Sequence, residues 1–116
     1  MINYDGRLFR PVTEAAAENP VARYHQSQDL VWGEFSGGAV RHGSLAGTSD
    51  PAGVLRFAYC MVLAGGEVIT GFCRSVPEVL ADGRIRLTEH WERYGAGASS
   101  GISALEELAI VVPGRL

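Results

Sequence analysis

Clusters of turn-forming residues punctuate this chain at short, regular intervals: ENP at 18–20, SQD at 27–29, GG at 37–38, TSDPAG at 48–53, GG at 65–66, ADG at 81–83 and GAGASSG at 95–101. Between them lie segments of about five to eleven residues, rich in β-branched, aromatic and alternating side chains, and such segments read as strands. Eight are predicted: Leu8 to Val12, Val21 to Gln26, Leu30 to Ser36, Ala39 to Ala46, Val54 to Ala64, Glu67 to Val76, Arg84 to Tyr94 and Ile102 to Ile110. Two stretches compete as helix. TEAAAENP at 13–20 has room for a turn or two before Pro20 stops it, and SALEELAI at 103–110 has good helix formers behind a serine. The second also keeps a period of two through Ile102, Ala104, Leu108 and Ile110, and seven strands need an eighth to hide their edges, so it is read as strand.

Consecutive strands joined by short turns form an antiparallel up-and-down sheet. Eight of them close into a barrel just wide enough to be filled by side chains or to hold one small ligand. The predicted fold is therefore all-β, a lipocalin-like or calycin-like eight-stranded barrel, with a flat sandwich as the other arrangement. A length of 116 residues suits one domain, and Pro113 and Gly114 suggest a tail from about residue 111.

Charge narrows the partners. The net charge is −3 and the ten basic residues are scattered from Arg7 to Arg115, with no cluster able to follow a phosphate backbone, so nucleic acid is not expected. All ten are Arg, and a chain without Lys has neither Schiff-base chemistry nor the lysine of a P-loop. The start, MINYDGRLFRPVTE, does not read as a signal peptide, and no apolar run approaches the ~20 residues of a membrane span. A soluble cytoplasmic protein without a membrane partner is the expectation, with Cys60 and Cys73 as free thiols.

The residues DGRIRLTEHWERY at 82–94 pose the chemical question. Ile85, Leu87 and Trp91 share one side of a strand at a period of two, and Glu89 stands in line with them. The preceding hairpin offers a facing: if Gly65 and Gly66 form a two-residue turn, Cys60 pairs with Gly71 and Ala58 with Cys73. One face then carries Arg56, Ala58, Cys60, Val62, Ile69, Gly71, Cys73 and Ser75, and the other Phe57, Tyr59, Met61, Leu63, Val68, Thr70, Phe72 and Arg74. With Gly71 packed beside Trp91, the small face joins the Glu89 file and Glu89 lies inside the barrel. A carboxylate there must be hydrogen-bonded, paired with an Arg such as Arg56, or kept protonated by desolvation.

The segments YDGRLFRPV, YHQSQDLVWGEFSGGAVRHGSLAG, GGEVITGFCRSVPEVLADGRIRLTEHW and SGISALEE resemble a group of small bacterial lipocalin-like (calycin-like) barrel proteins whose members often carry the label N-acetylglutamate synthase. The likeness runs from Tyr4 to about Ile110. It implies the barrel fold, and where the family has polar side chains on the strand RFAYCMVLA this chain has Ala58, Cys60, Met61 and Leu63, which implies a roomier, more apolar interior and an apolar ligand. Acetyl transfer is not expected. The usual acetyltransferase fold sets a Gly-rich loop before a helix N-terminus to hold the pyrophosphate, whereas GAGASSG sits between two strands.

These observations set the candidate site. Glu89 is the candidate acid or base, alternatively a structural carboxylate. Tyr24 and Gln26 alternate on one strand face, as the family's aromatic and amide positions there do, and can direct hydrogen bonds at a ligand's oxygens, alternatively serving surface or lid packing. Arg56, Cys60, Cys73 and Trp91 complete the candidate ligand-binding set, and Trp32 is read with Trp91 as core or cavity wall. His25, His42 and His90 fall on three strands without metal-ligand spacing, so neither a metal nor a cofactor is expected. Adjacent Glu106 and Glu107 point to opposite faces and cannot pair as catalytic carboxylates, and at least one should be solvated.

The expected function is binding of an apolar or amphipathic small molecule inside the barrel. One alternative is a cofactor-independent biosynthetic cyclase or isomerase with Glu89 and Tyr24 as acid and base. The other is a non-catalytic homodimeric module that exposes Phe57, Tyr59, Met61 and Phe72.

Overall fold

The computed structural model of the protein describes residues 2–13 and 20–109. They form eight antiparallel strands: β1 (Leu8–Pro11), β2 (Val21–Ser27), β3 (Leu30–Gly37), β4 (Val40–Ser49), β5 (Leu55–Leu63), β6 (Val68–Val79), β7 (Ile85–Arg93) and β8 (Ser99–Glu107). Each pairs with the next, and β8 returns to β1 through Phe9 opposite Glu107 and Pro11 opposite Leu105, closing the barrel. Closure removes the free edges that an open sheet would present. The segment Ser99–Glu107 is strand, as its period of two predicts, and it supplies the closing partner. Residues 14–19 of the competing helical stretch, Ile110 and the predicted tail lie outside the described residues.

The register of the β5–β6 hairpin differs from expectation by one residue. The connection is a three-residue loop, Ala64 to Gly66, closed by the Leu63 N–H donating to Glu67 O at 2.9 Å, with Gly66 at a φ of 91°. Gly is suited to that left-handed position, and the third loop residue shifts the ladder so that Phe57 faces Cys73 and Tyr59 faces Gly71. A one-residue slip turns a strand's whole set of side chains to the other side. Leu55, Phe57, Tyr59 and Met61 therefore join Gly71, Cys73 and Ser75 inside. Arg56, Ala58 and Cys60, assigned to the inward face by the two-residue turn, are exposed on the outside. Cys60 and Cys73 thus lie on opposite sides of the barrel wall.

The apolar core fills one end of the barrel. Leu55, Ile85 and Leu87 are at most 2% exposed there. The segment before β1 packs across the same end. Tyr4, fully buried, donates its hydroxyl hydrogen to Gly53 O, and its ring joins Phe9 and Tyr24 in an aromatic trio with centroids 5.0 to 6.4 Å apart. Such tilted rings pack without face-to-face repulsion. Glu107 sits at this end too, buried, accepting from Arg7 Nη1 at 2.8 Å and from the Ile85 N–H at 3.1 Å. Its neighbour Glu106 faces outward and pairs with Arg86 at 3.0 Å, so the two carboxylates do point apart.

Candidate functional site

Toward the other end the inward side chains stop meeting, and a cavity of about 220 Å³ remains. Its wall is mostly apolar, with Phe9, Phe35, Leu45, Phe57, Met61 and Trp91 among the lining residues. Glycines make the room. A Cβ on Gly71 would stand 2.5 Å from the Tyr59 ring and 2.0 Å from Glu92 O, and one on Gly101 would stand 2.6 Å from the Trp91 ring. Gly71 therefore accommodates Tyr59, whereas Trp91 lies opposite Cys73 on β6 and Gly101 on β8. The expected Gly71–Trp91 neighbourhood is corrected by two residues along the ladder: Gly71 faces Arg93.

Glu89 lines this cavity. It faces Ser75 on β6 and Ser103 on β8, between the buried Leu87 and Trp91 on its own strand. Ser75 Oγ donates to Glu89 Oε2 at 3.4 Å and Cys73 Sγ to the same oxygen at 3.6 Å, both long contacts. No described residue bonds Oε1. Desolvation in the apolar lining pushes the Glu89 carboxyl up to about 7, opposed by these two hydrogen bonds. Near neutral pH the group is thus shared between its acid and its carboxylate. No described arginine pairs with it, and Arg56 lies on the outer face with its guanidinium 3.5 Å from Asp50.

Tyr24, 1% exposed, reaches the same space from β2. Burial, then the nearby Glu89 and Cys73, raise its phenol well above the ordinary value, so it remains a neutral hydrogen-bond donor. Its hydroxyl bonds no described residue. Burial likewise pushes the Cys73 thiol up to about 12, with Glu89 adding to the shift, which keeps it from acting as a thiolate nucleophile near neutral pH.

Of the residues singled out from sequence, Glu89, Tyr24, Cys73 and Trp91 converge on the cavity. Arg56 and Cys60 do not, because the three-residue β5–β6 loop turns them outward. Gln26 shares the Tyr24 face but accepts the Tyr4 N–H at 2.9 Å through Oε1 and donates to Gln28 O at 2.8 Å, tying the N-terminal segment to the packed end. Trp32 is on the outer surface, 39% exposed and stacked on His25 with centroids 5.4 Å apart. Among the described residues, no three His, Cys, Asp or Glu side chains form a metal-binding group.

Sequence reasoning missed Arg93, which lines the cavity at the end opposite Tyr4. The file Ile85, Leu87, Glu89, Trp91 reaches it with one more step of two. It also missed Phe57, Tyr59 and Met61, placed on the outer face by the two-residue turn. Their large side chains beside a strand of small ones were the available signal.

The segment GAGASSG joins β7 to β8 and runs directly into strand at Ser99. No curated protein and no solved structure gives a significant match to the chain. A family model described as avidin-like protein matches residues 2–108, spanning the whole closed barrel and every residue of the cavity wall, and the chain belongs to this avidin-like family.

Proposed function

We propose that the protein binds an apolar or amphipathic small molecule in the barrel interior, with Glu89, Tyr24, Cys73 and Trp91 as contact residues. The observation that carries this reading is a set of polar groups short of partners in an apolar cavity. Glu89 Oε1 and the Tyr24 hydroxyl bond no described residue, although both line a space bounded by Phe57, Leu45 and Trp91. A few polar groups set in a mostly apolar lining fix a ligand's orientation, and a ligand with a donor and an acceptor at one end would bond both. The avidin-like family and the closed barrel fit small-molecule binding in general. A cavity of about 220 Å³ lies below the ~300–1,000 Å³ of drug-sized pockets, so the ligand is small.

A second reading uses the same space for chemistry. With its carboxyl near 7, Glu89 can take a proton from a bound substrate or return one, while Tyr24 donates a hydrogen bond to developing negative charge. That is the arrangement of a cofactor-independent isomerase or cyclase. The homodimeric module built on an outward Phe57, Tyr59 and Met61 loses its premise, because those three line the interior and only Phe72 of that set faces out.

Native mass spectrometry of the protein purified from the cells that make it tests the binding reading. The expected result is one small molecule per barrel, released on denaturation and lost in Glu89→Gln. A barrel that stays empty when challenged with the cells' metabolite extract overturns it.

A further inference from the structure

On the outer wall of the barrel, strand register decides which charges face one another. Several arginines meet a carboxylate there: Arg10 is opposite Glu106, Arg23 is opposite Glu34, and Arg86 stands between Glu78 and Glu106. One row departs from this pattern. Arg56 on β5 is directly opposite Arg74 on β6, and Arg74 is in turn opposite His90 on β7. Like charges directly opposite in a sheet destabilise it. In a chain of net charge −3, this row gathers positive charge at one place on the surface.

The three side chains have few partners. Arg56 is exposed, and its Nη1 lies 3.5 Å from Asp50 Oδ2, while Oδ1 of the same carboxylate accepts the Ala52 and Val54 N–H groups of the turn. Arg74 and His90 have no hydrogen-bond or ion-pair partner among the described residues, and Glu92, on the diagonal from Arg74, is exposed and forms no ion pair with it. The row continues to Thr48 on β4 and to the exposed Ile102 on β8, and neither neutralises it. Beside it along the strands stand Ala58 and Phe72, opposite one another across β5 and β6. These positions alternate away from Cys73, Ser75 and Glu89, so the row lies on the other side of the wall from the cavity.

We propose that this outer row is a second binding site, one for a small phosphate monoester, with Arg56 and Arg74 clamping the phosphate, His90 at its flank and Phe72 with Ala58 against the apolar part of the ester. Two adjacent guanidiniums match a dianion in charge, and their paired donors can share the oxygens of one tetrahedral group. An imidazole adds a ring N–H donor. Neighbouring strands are ~4.8 Å apart, so the three backbones span about 10 Å, which suits one phosphate group and is too short to follow a nucleic-acid backbone. The bound dianion also offsets the repulsion between the two arginines.

The test compares phenyl phosphate with phenyl sulfate by titration calorimetry at about pH 8 and low, fixed ionic strength, where the phosphate ester carries two charges and the sulfate ester one. Phenyl phosphate is expected to bind about tenfold tighter than phenyl sulfate. Arg74→Gln is expected to weaken phenyl phosphate about tenfold, and it relieves a like-charge pair, so the variant should fold as well as the parent. Arg23→Gln makes the same change of net charge opposite Glu34 and is expected to leave binding unaltered. Phe72→Ala is expected to weaken phenyl phosphate severalfold while leaving inorganic phosphate where it was. Equal binding of the two esters, no binding of either, or equal losses in Arg74→Gln and Arg23→Gln overturns the proposal. A loss in Arg93→Gln in place of Arg74→Gln also overturns it, because that result puts the probe in the interior cavity and leaves the reading of the cavity standing.

Discussion

Around Leu87 the barrel interior is packed solid, with Leu55, Ile85, Phe9 and the Tyr4 ring meeting across the axis and exposures of 2% or less. Four residues further along the same strand, Trp91 looks across open space toward Phe57 and Met61. The two ends are built from one alternation on one set of strands. They differ in what is added: at the packed end the N-terminal segment contributes Tyr4, and Glu107 is satisfied by Arg7 and the Ile85 amide, whereas at the other end Gly71 and Gly101 subtract side chains from the wall. A barrel can thus concentrate its stability at one end and leave polar groups short of partners at the other.

Truncation should separate the ends most strongly. Leu87→Ala, in a site with no exposure, is expected to cost about 3 kcal/mol through lost burial and a new closed void. Met61→Ala removes a side chain that already borders empty space, and is expected to cost about 1 kcal/mol. Urea unfolding with an unchanged slope measures both. Equal losses would mean that the cavity closes up in solution and that the contrast between the ends is not real.

Protonation gives the next largest effect. The Glu89 carboxyl is raised in the folded state to about 7 from 4.5, so its folding contribution is most favourable below about pH 4.5, declines as pH rises through 7, and stays at its lower level above that. Glu89→Gln removes the ionisation. It is expected to stabilise the protein by ~2 kcal/mol at pH 8, discounted for the solvent that reaches this half-buried group, and by little at pH 4. A Gln variant whose advantage is independent of pH would place the Glu89 carboxyl in a wetter environment than the apolar wall implies.

The smallest effect compares inside with outside. Cys60→Ser on the outer face is expected to change stability by less than about 0.5 kcal/mol. A thiol-reactive chromophore should label Cys60 in the native protein at once and Cys73 only on unfolding, because Cys73 is 2% exposed and its thiol is pushed up to about 12. Two fast-reacting thiols would show that the wall around Glu89 opens readily.

Much of the site is legible in the order of residues along single strands. The file Ile85, Leu87, Glu89, Trp91 is a local pattern, and a period of two on one strand needs no tertiary information to place four side chains together. Tyr24 is legible for the same reason on β2. Arg56 and Cys60 were misplaced because their facing was inferred through a turn, where one residue of loop length decides which side of the sheet a strand presents. Arg93 was overlooked because an arginine at a strand end reads as solvated, and its position over Trp91 at the cavity wall emerges only in the folded barrel.

The sequence by itself determined the strand count, the antiparallel closed barrel and the presence of a carboxyl in an apolar row, since these follow from periodicity and from turn residues close in the chain. The tertiary structure alone decided which faces of neighbouring strands share the interior, where packing ends and the cavity begins, and which arginine reaches the cavity wall. Those outcomes depend on the left-handed backbone at Gly66, on glycines set against large side chains from other strands, and on pairings between residues distant in sequence. None of these is encoded in the spacing of any single segment.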